Sequence, residues 1–306
     1  MARRDPGKYR DIDGILILDK PLGRSSNQVL QQVRRLYRAR KAGHCGSLDP
    51  LATGVLPICL GQATKFSSFL LNASKTYRAS CRLGQTTSTG DAEGEVIETR
   101  PVSIDSKQLQ RVLERFVGQI EQVPPMYSAL KHEGRRLYQL AREGRQIERK
   151  PRRVEIHELT LLSCAAGCLE IEVRCSKGTY IRTLAEDIGA GLDCGAHIAA
   201  LRRVAVDDLL VADAVTIEQL ELLAQRGEES LDRLLLPVTV ALNHFAELDL
   251  DAASSSDIRQ GKKVAIASSM AAGLYRLVAP DTGFIGLGEV STKGELTAKR
   301  LMNTAR

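Results

Sequence analysis

One carboxylate, Asp49, sits at the centre of the run Gly43-His44-Cys45-Gly46-Ser47-Leu48-Asp49-Pro50-Leu51-Ala52-Thr53-Gly54-Val55-Leu56-Pro57. Three glycines and two prolines make this run too punctuated for a regular helix or strand, because glycine opens positive φ and proline fixes φ. Pro50 also drives the residue before it toward an extended backbone. A stiff loop presenting one carboxylate suits a general acid, a general base or a nucleophile. The Asp-Pro pair reads equally well as a helix start, with Asp49 as N-cap and Pro50 at the first helical position. Gly54 and Pro57 leave little room for such a helix.

Three further segments carry ionic or reactive side chains. Asp19-Lys20-Pro21 ends an apolar run, and Lys20 there serves either a phosphate or the loop around it. Lys75-Thr76-Tyr77-Arg78 reads as an exposed edge strand, in which Tyr77 is equally a core aromatic. Cys175-Ser176-Lys177-Gly178-Thr179-Tyr180-Ile181-Arg182-Thr183-Leu184 reads as a strand–turn–helix junction. Tyr180 and Arg182 point in different directions on a helix, yet both reach a pocket at its first turn. The free N–H groups of that helix start suit an anion.

Tests for cofactor chemistry are negative. No G-x-x-x-x-G-K-[ST], no helix-opening G-x-G-x-x-G, no H-E-x-x-H and no G-x-S-x-G occurs, and Gly286-Leu287-Gly288 falls in a strand pattern. The seven cysteines (Cys45, Cys59, Cys81, Cys164, Cys168, Cys175, Cys194) form an odd set without a C-x-x-C pair, which points to reduced thiols. Cys164, Cys168 and Cys175 lack histidines at ligand spacing and are read as flanking and following a hairpin turn. An enzyme with this sequence is expected to use side chains alone, with no cofactor and no metal.

Charge is distributed unevenly. The chain of 306 residues carries a formal net charge of +6. Between Pro124 and Arg153 stand nine basic residues: Lys131, Arg135, Arg136, Arg142, Arg145, Arg149, Lys150, Arg152 and Arg153. Three acids (Glu133, Glu143, Glu148) oppose them, so this segment's excess equals that of the whole chain. A solvated helix face is the ordinary reading of such a run. Its concentration in one place favours a phosphate-binding arm.

The elements that must position these groups follow from periodicity and capping signals. Gly14–Asp19 reads as a buried strand, and Ser25 or Ser26 caps a helix to about Arg40. Past the Asp49 loop come a strand over 55–60, a helix over 63–71, strands over 75–83 and 95–99, and a helix over 106–117. The basic segment holds a helix over 135–142. A hairpin over 154–162 and 169–175 precedes a helix capped by Thr179 or Ser176 and reaching Ile188. A strand over 199–206 and a helix over 216–224 follow. Near Ala246 the texture changes to a helix over 251–260 and short strands over 274–278, 284–290 and 295–301. The fold class is therefore α+β with a mostly antiparallel central sheet, flanking helices and a small β-rich C-terminal unit. The expected division is 1–245 and 246–306. The longest apolar runs are too short to cross a membrane, and the charged N-terminal residues 1–5 have no apolar run behind them. A cytoplasmic location is expected.

Taken together and in order, the Asp49 loop, Asp19-Lys20-Pro21, Lys75-x-Tyr77 and Ser176-Lys177-Gly178-Thr179-Tyr180-Ile181-Arg182 resemble the TruB family of tRNA pseudouridine synthases. The match runs over most of residues 12–210, and the tail is similar to a PUA module, a small RNA-binding domain. The resemblance implies isomerisation of the uridine at position 55 in the tRNA T-loop, with a possible accessory role in tRNA folding. It implies Asp49 as the essential catalytic aspartate. Tyr77 would stack on the base and take part in proton transfer, and Arg182 would pair with Asp49, keeping it ionised and aimed. His44, Tyr180 and Leu201 would line the pocket or support the flipped nucleotide, with Lys20 and Pro21 supporting the site from beneath. The segment 124–153 would be a thumb-like insertion gripping RNA, with Lys131, Arg135, Arg136, Arg142, Arg145 and Arg149 as backbone contacts. The partner is a tRNA T-stem-loop, with no membrane, no obligatory protein partner and a monomeric state. Cys45 and Ser47 depart from the family's commoner residues, and both keep the side chains small. Two other readings remain open: a non-catalytic RNA-binding protein of the same fold, which has no need of Asp49, Tyr77 and Arg182 together, and a related synthase acting on another uridine or guided by accessory RNA.

Overall fold

In the computed structural model, which describes residues 9–266 and 270–303, the first apolar run forms strand β1 (Gly14–Lys20), buried along nearly all its length. A strand covered on both faces has no polar side to alternate with, hence its continuous apolar sequence. The charged N-terminal residues 1–5 lie outside the described residues. Ser25 caps helix α1 (Ser26–Leu36) in a capping box with Gln28. The helix ends short of Arg40 because Arg38 adopts φ +50°, and the Arg38 and Ala39 N–H groups close onto Arg35 and Arg34 carbonyls.

The Asp49 loop joins β2 (Ala42–His44) to β3 (Ala52–Leu60). The single helix expected over 63–71 is instead a 3₁₀ turn, Gly61–Lys65, followed by α2 (Ser67–Asn72), with the buried Phe66 between them. Next come β4 (Lys75–Leu83), the small hairpin β5 (Gln85–Thr87) and β6 (Val96–Thr99), α3 (Ser106–Glu114) and β7 (Gly118–Gln122). The basic segment folds as β8 (Lys131–His132), β9 (Arg135–Arg136) and α4 (Leu137–Arg142), so its helix starts two residues later than expected. The long hairpin β10 (Arg152–Ala165) and β11 (Cys168–Cys175) closes at Ala166-Gly167, both at positive φ, a turn whose twist suits antiparallel strands. Then follow α5 (Ile181–Gly191), β12 (Ala196–Val206), β13 (Leu209–Leu210), α6 (Ile217–Gln225) and α7 (Glu228–Asp232).

The main sheet runs β1-β3-β12-β4-β11-β10-β7, with β2 beside β3 and β13 beside β12. Its pairings are antiparallel except for the short parallel seam of β3 with β12. Helices α3 and α5 cover one face through Leu109, Val112, Leu184 and Ile188. Helix α1 packs with α6 against Leu16, Leu18, Leu56 and Ile58. The edge-strand reading of Lys75–Arg78 is corrected: β4 lies between β12 and β11 at the centre of the sheet.

The C-terminal strands β14 (Glu247–Asp249), β15 (Val264–Ala265), β16 (Gly273–Ala279), β17 (Gly283–Val290) and β18 (Glu295–Leu301) form a second sheet, ordered β14-β16-β17-β18-β15. Helix α8 (Ala252–Arg259), capped by Asp251, shares its core through Ile258, with Leu277 and Leu296. The unit docks on the main body: the Phe284 ring meets Phe66 at 5.8 Å, and Lys65 Nζ donates to the Leu301 carbonyl at 2.8 Å.

Candidate active site

The Asp49 loop is held from several directions. Ser26 Oγ donates to the Leu48 carbonyl at 3.0 Å and accepts the Leu48 N–H at 2.8 Å. The Gly23 N–H reaches the Pro50 carbonyl at 2.9 Å. Arg203 donates through Nη2 to the Gly46 carbonyl at 3.0 Å and through Nε to the Val55 carbonyl at 2.7 Å. Gly54, at φ +101°, lets β3 approach β12, since a Cβ there would stand 2.1 Å from the Arg203 carbonyl oxygen. The helix-cap reading of Asp49 is overturned. The Ala52 N–H returns to the Asp49 carbonyl at 3.0 Å, so Asp49-Pro50-Leu51-Ala52 is a turn into β3.

Lys20 belongs to this scaffold. Its buried ammonium donates to the carbonyls of Pro21 (2.8 Å) and Arg24 (2.6 Å) and makes a longer contact to Pro50 (3.4 Å). Burial lowers its pKa to about 8, and the nearby Asp49 opposes that shift. Of the two readings of Lys20, the structure places it as a loop holder.

Arg182, on the first turn of α5, reaches Asp49 with Nη2–Oδ2 at 3.0 Å. Its side chain is 6% exposed and that of Asp49 47%. The guanidinium also donates to the carbonyls of Thr89 (2.9 Å) and Tyr127 (2.6 Å) and stands 3.5 Å from the buried Asp91 carboxylate. A planar fork of donors spans these partners, a geometry a lysine cannot copy. Burial raises the Asp49 pKa above the ordinary carboxylate value and is the largest influence on it, with Arg182 pulling the other way. Arg182 thus offsets a charge penalty imposed by the cleft without cancelling it. Helix α5 begins at Ile181 with Tyr180 at the N-cap position, so neither Thr179 nor Ser176 is its cap; Thr179 Oγ1 instead bonds the Ser176 carbonyl at 2.9 Å.

Tyr77, Tyr180 and Leu201 line one cleft with Asp49 and Arg182, a space of about 300 Å³ that suits a single base. Burial raises the pKa of both phenols. The Tyr180 backbone is clamped by Gln122, which accepts its N–H at 3.0 Å and donates to its carbonyl at 3.3 Å. A wider cleft of about 880 Å³ opens on the other side of Asp49, lined by His44, Lys131, Arg136, Tyr138 and Arg142. His44 is half-buried with Nδ1 unpartnered, and burial followed by Arg203 and Arg136 holds its pKa below the ordinary value. Among the other arm cations, Arg135 is paired with Glu143, Arg145 is exposed, and Arg149 is half-buried near Glu186; none of the three lines either cleft.

Asp91, Gln122 and Arg203 escaped the sequence reading. Asp91 stands in the Gly/Ser/Thr-containing loop over 88–94, whose one faint signal is an acid in a turn-rich stretch.

A cleft that confronts a loop-borne carboxylate with a guanidinium and two tyrosines, on a central sheet with a basic arm, is accompanied by family matches over most of the chain. The description "TruB family pseudouridylate synthase (N terminal domain)" matches residues 34–181, "tRNA pseudouridylate synthase B C-terminal domain" 182–243, and "Pseudouridine synthase II TruB, C-terminal" 246–302. The chain belongs to the TruB family of pseudouridine synthases. A tRNA pseudouridine synthase B of Methylobacillus flagellatus is 53% identical over 296 residues, 97% of each chain. One of Nitrosococcus oceani is 51% identical over 294 residues, 96% of each chain. Among solved structures, a chain of an H/ACA RNP bound to a substrate RNA containing 2′-deoxyuridine is similar in fold, with a TM-score of 0.72 and 22% identity over 95% of this chain and 85% of that one.

Proposed function

We propose that the protein converts uridine to pseudouridine at position 55 in the T-loop of tRNA, with Asp49 as the catalytic carboxylate. The observation that carries this reading is the Arg182–Asp49 contact of 3.0 Å at a base-sized cleft lined by Tyr77 and Tyr180. The relatives named tRNA pseudouridine synthase B support tRNA as the substrate class. Residues 1–245 act as the catalytic unit and 246–306 as an RNA-binding unit, and the enzyme works as a cytoplasmic monomer.

The target base must leave the stack to reach Asp49. Extrusion costs a few kcal/mol, offset by stacking worth about 1–3 kcal/mol on an aromatic ring. Tyr77 is the ring on the cleft floor, Tyr180 and Leu201 bound the base, and His44 faces the neighbouring nucleotide in the wider cleft. Asp49 acts as its carboxylate, by adding to base or sugar or by removing a proton so that the base departs. The glycosidic bond breaks, the ring turns, and C5 replaces N1 at C1′, with no net redox change and no hydrolysis. Lys131, Arg136 and Arg142 hold the phosphate backbone across the wider cleft.

The test is tritium release from a T-stem-loop RNA carrying uridine labelled at C5, comparing native protein with Asp49→Asn. Release by native protein alone is expected. No release by native protein refutes the reaction, and equal release by both refutes the role of Asp49.

A further inference from the structure

Two cations form the floor of the base-sized cleft. Lys75, Tyr77 and Ala79 alternate onto one face of β4, and Arg203 opposite Tyr77 and Leu201 opposite Ala79 share that face from β12. Lys75 is 6% exposed and Arg203 1%, and both line the cleft. Their hydrogen bonds run to carbonyls: Lys75 Nζ to Leu70 (3.1 Å), Leu71 (2.7 Å) and Ala73 (2.6 Å), and Arg203 to Val55 (2.7 Å) and Gly46 (3.0 Å). Among the described residues no carboxylate pairs with either. Arg203 stands opposite Tyr77 in the β4–β12 pairing, and its charge opposes the rise in the phenol pKa that burial causes.

Buried charges are normally neutralised by a counter-ion, because carbonyl dipoles solvate a cation without cancelling it. The Lys75 pKa is lowered to about 8, first by burial and then by Arg203, with Cys175, Cys45 and Asp207 opposing. The carboxylate at the cleft, Asp49, is already engaged by Arg182, which Asp91 also holds. The fold therefore keeps two desolvated positive charges beneath a space that lacks its anion.

The reaction proposed above generates one. When the C1′–N1 bond breaks, its electron pair leaves with the ring, so the detached uracil carries a negative charge spread over N1 and its carbonyl oxygens. The charge is discharged when C5 bonds to C1′, N1 takes up a proton and the C5 proton is released. Resting on that reading, we infer that Lys75 and Arg203 form a fixed cationic floor that stabilises the detached uracil as an anion and retains it while it turns. Lys75 has its three protons committed to carbonyls and acts through its charge. Arg203, opposite Tyr77 and held by the Val55 and Gly46 carbonyls, adds to the same field.

The test uses the full chain carrying Asp49→Asn, bound to a T-stem-loop RNA whose target nucleotide is 5-fluorouridine. The fluorine resonance is followed against pH to read the ionisation of the ring N3–H. The bound midpoint is expected about one pH unit or more below that of the free RNA, the size of shift that close opposite charges produce. Adding Lys75→Met should remove about half of that displacement, while Lys75→Arg should keep it. The two variants share Arg182 and the Asp49→Asn background, so their difference isolates the floor. A bound midpoint equal to or above the free one overturns the floor without recourse to any floor variant. A displacement untouched by Lys75→Met overturns the assignment to Lys75. A resonance unchanged on adding protein overturns the reading of the cleft as a uridine site, a failure separate from the others, and the floor falls with it.

Discussion

Lys75 and Arg203 beneath the cleft are desolvated and bonded to backbone carbonyls, whereas Arg136 and Arg142 on the arm are exposed and stacked 5.9 and 5.7 Å from the Tyr138 ring. The same charge thus occurs in two physical states. Exposed cations are screened beyond about 8 Å at physiological salt and move to meet any phosphate. Buried cations escape that screening and act on one fixed point. The arm is therefore suited to hold RNA of many sequences, and the floor to act on a single ring. On the reading proposed above, binding energy and transition-state stabilisation, often confounded in one site, fall on different elements.

The separation can be broken or sharpened by mutation. The largest effect is expected at Asp49, where Asn should cost about 10³-fold or more in single-turnover rate, with RNA affinity by filter binding changed only a few-fold. Similar losses in rate and affinity would show that the carboxylate serves binding. Arg182→Lys should lower the rate about 10²-fold, because a lysine cannot span Asp49, Asp91 and two carbonyls, again with little change in affinity. A smaller effect, of the opposite kind, is expected on the arm. Arg136→Ser with Arg142→Ser should weaken binding and flatten the slope of log affinity against log salt by about 1 to 2, leaving the rate at saturating RNA intact. An unchanged slope would remove these arginines from the phosphate contacts.

The smallest effect concerns stability. The folded-state pKa of Asp49 lies above its unfolded value because burial outweighs Arg182. Its ionised form therefore weakens the fold, and that penalty appears as pH rises through the window between the two values and persists above it. Asp49→Asn should melt slightly higher than native protein at neutral pH, by about 1 °C, and the two should converge below the ordinary aspartate pKa. A native protein that gains stability relative to the variant over this window would reverse the sign.

Much of the cleft was legible because its members sit in local motifs whose residue types already point to chemistry: Asp49 in a stiff loop, Tyr180 and Arg182 at a strand–helix junction. The bounds of β4 were readable from Lys75 to Leu83, but its place in the sheet was not. A lysine and an arginine early in a strand suggest a solvent face, and only the carbonyls at the end of α2 make Lys75 tolerable at the sheet's centre. Arg203 was hidden for the same reason, in a segment read as an ordinary strand. Asp91 and Gln122 work on partners far along the chain, and spacing carries no trace of such pairs. Helix ends were misjudged where an unusual backbone decides them, as at Arg38 with φ +50°.

The Gln122 clamp has a consequence for how the arm is built. Gln122 ends the strand that leads into the arm and grips the Tyr180 peptide at both its N–H and its carbonyl. Where the arm returns, the Glu155 N–H bonds Ser176 Oγ at 2.9 Å and the Ser176 N–H bonds the Glu155 carbonyl at 2.8 Å. Both roots are thus stitched to the segment that carries Tyr180 and Arg182, as is the Tyr127 carbonyl, which accepts from Arg182 at 2.6 Å. Among the described residues no hydrogen bond joins the tip, residues 131–145, to that segment. Length and charge at the tip are open to remodelling, as in an interchangeable tool head, whereas a one-residue slip at either root would be felt directly at Tyr180 and Arg182.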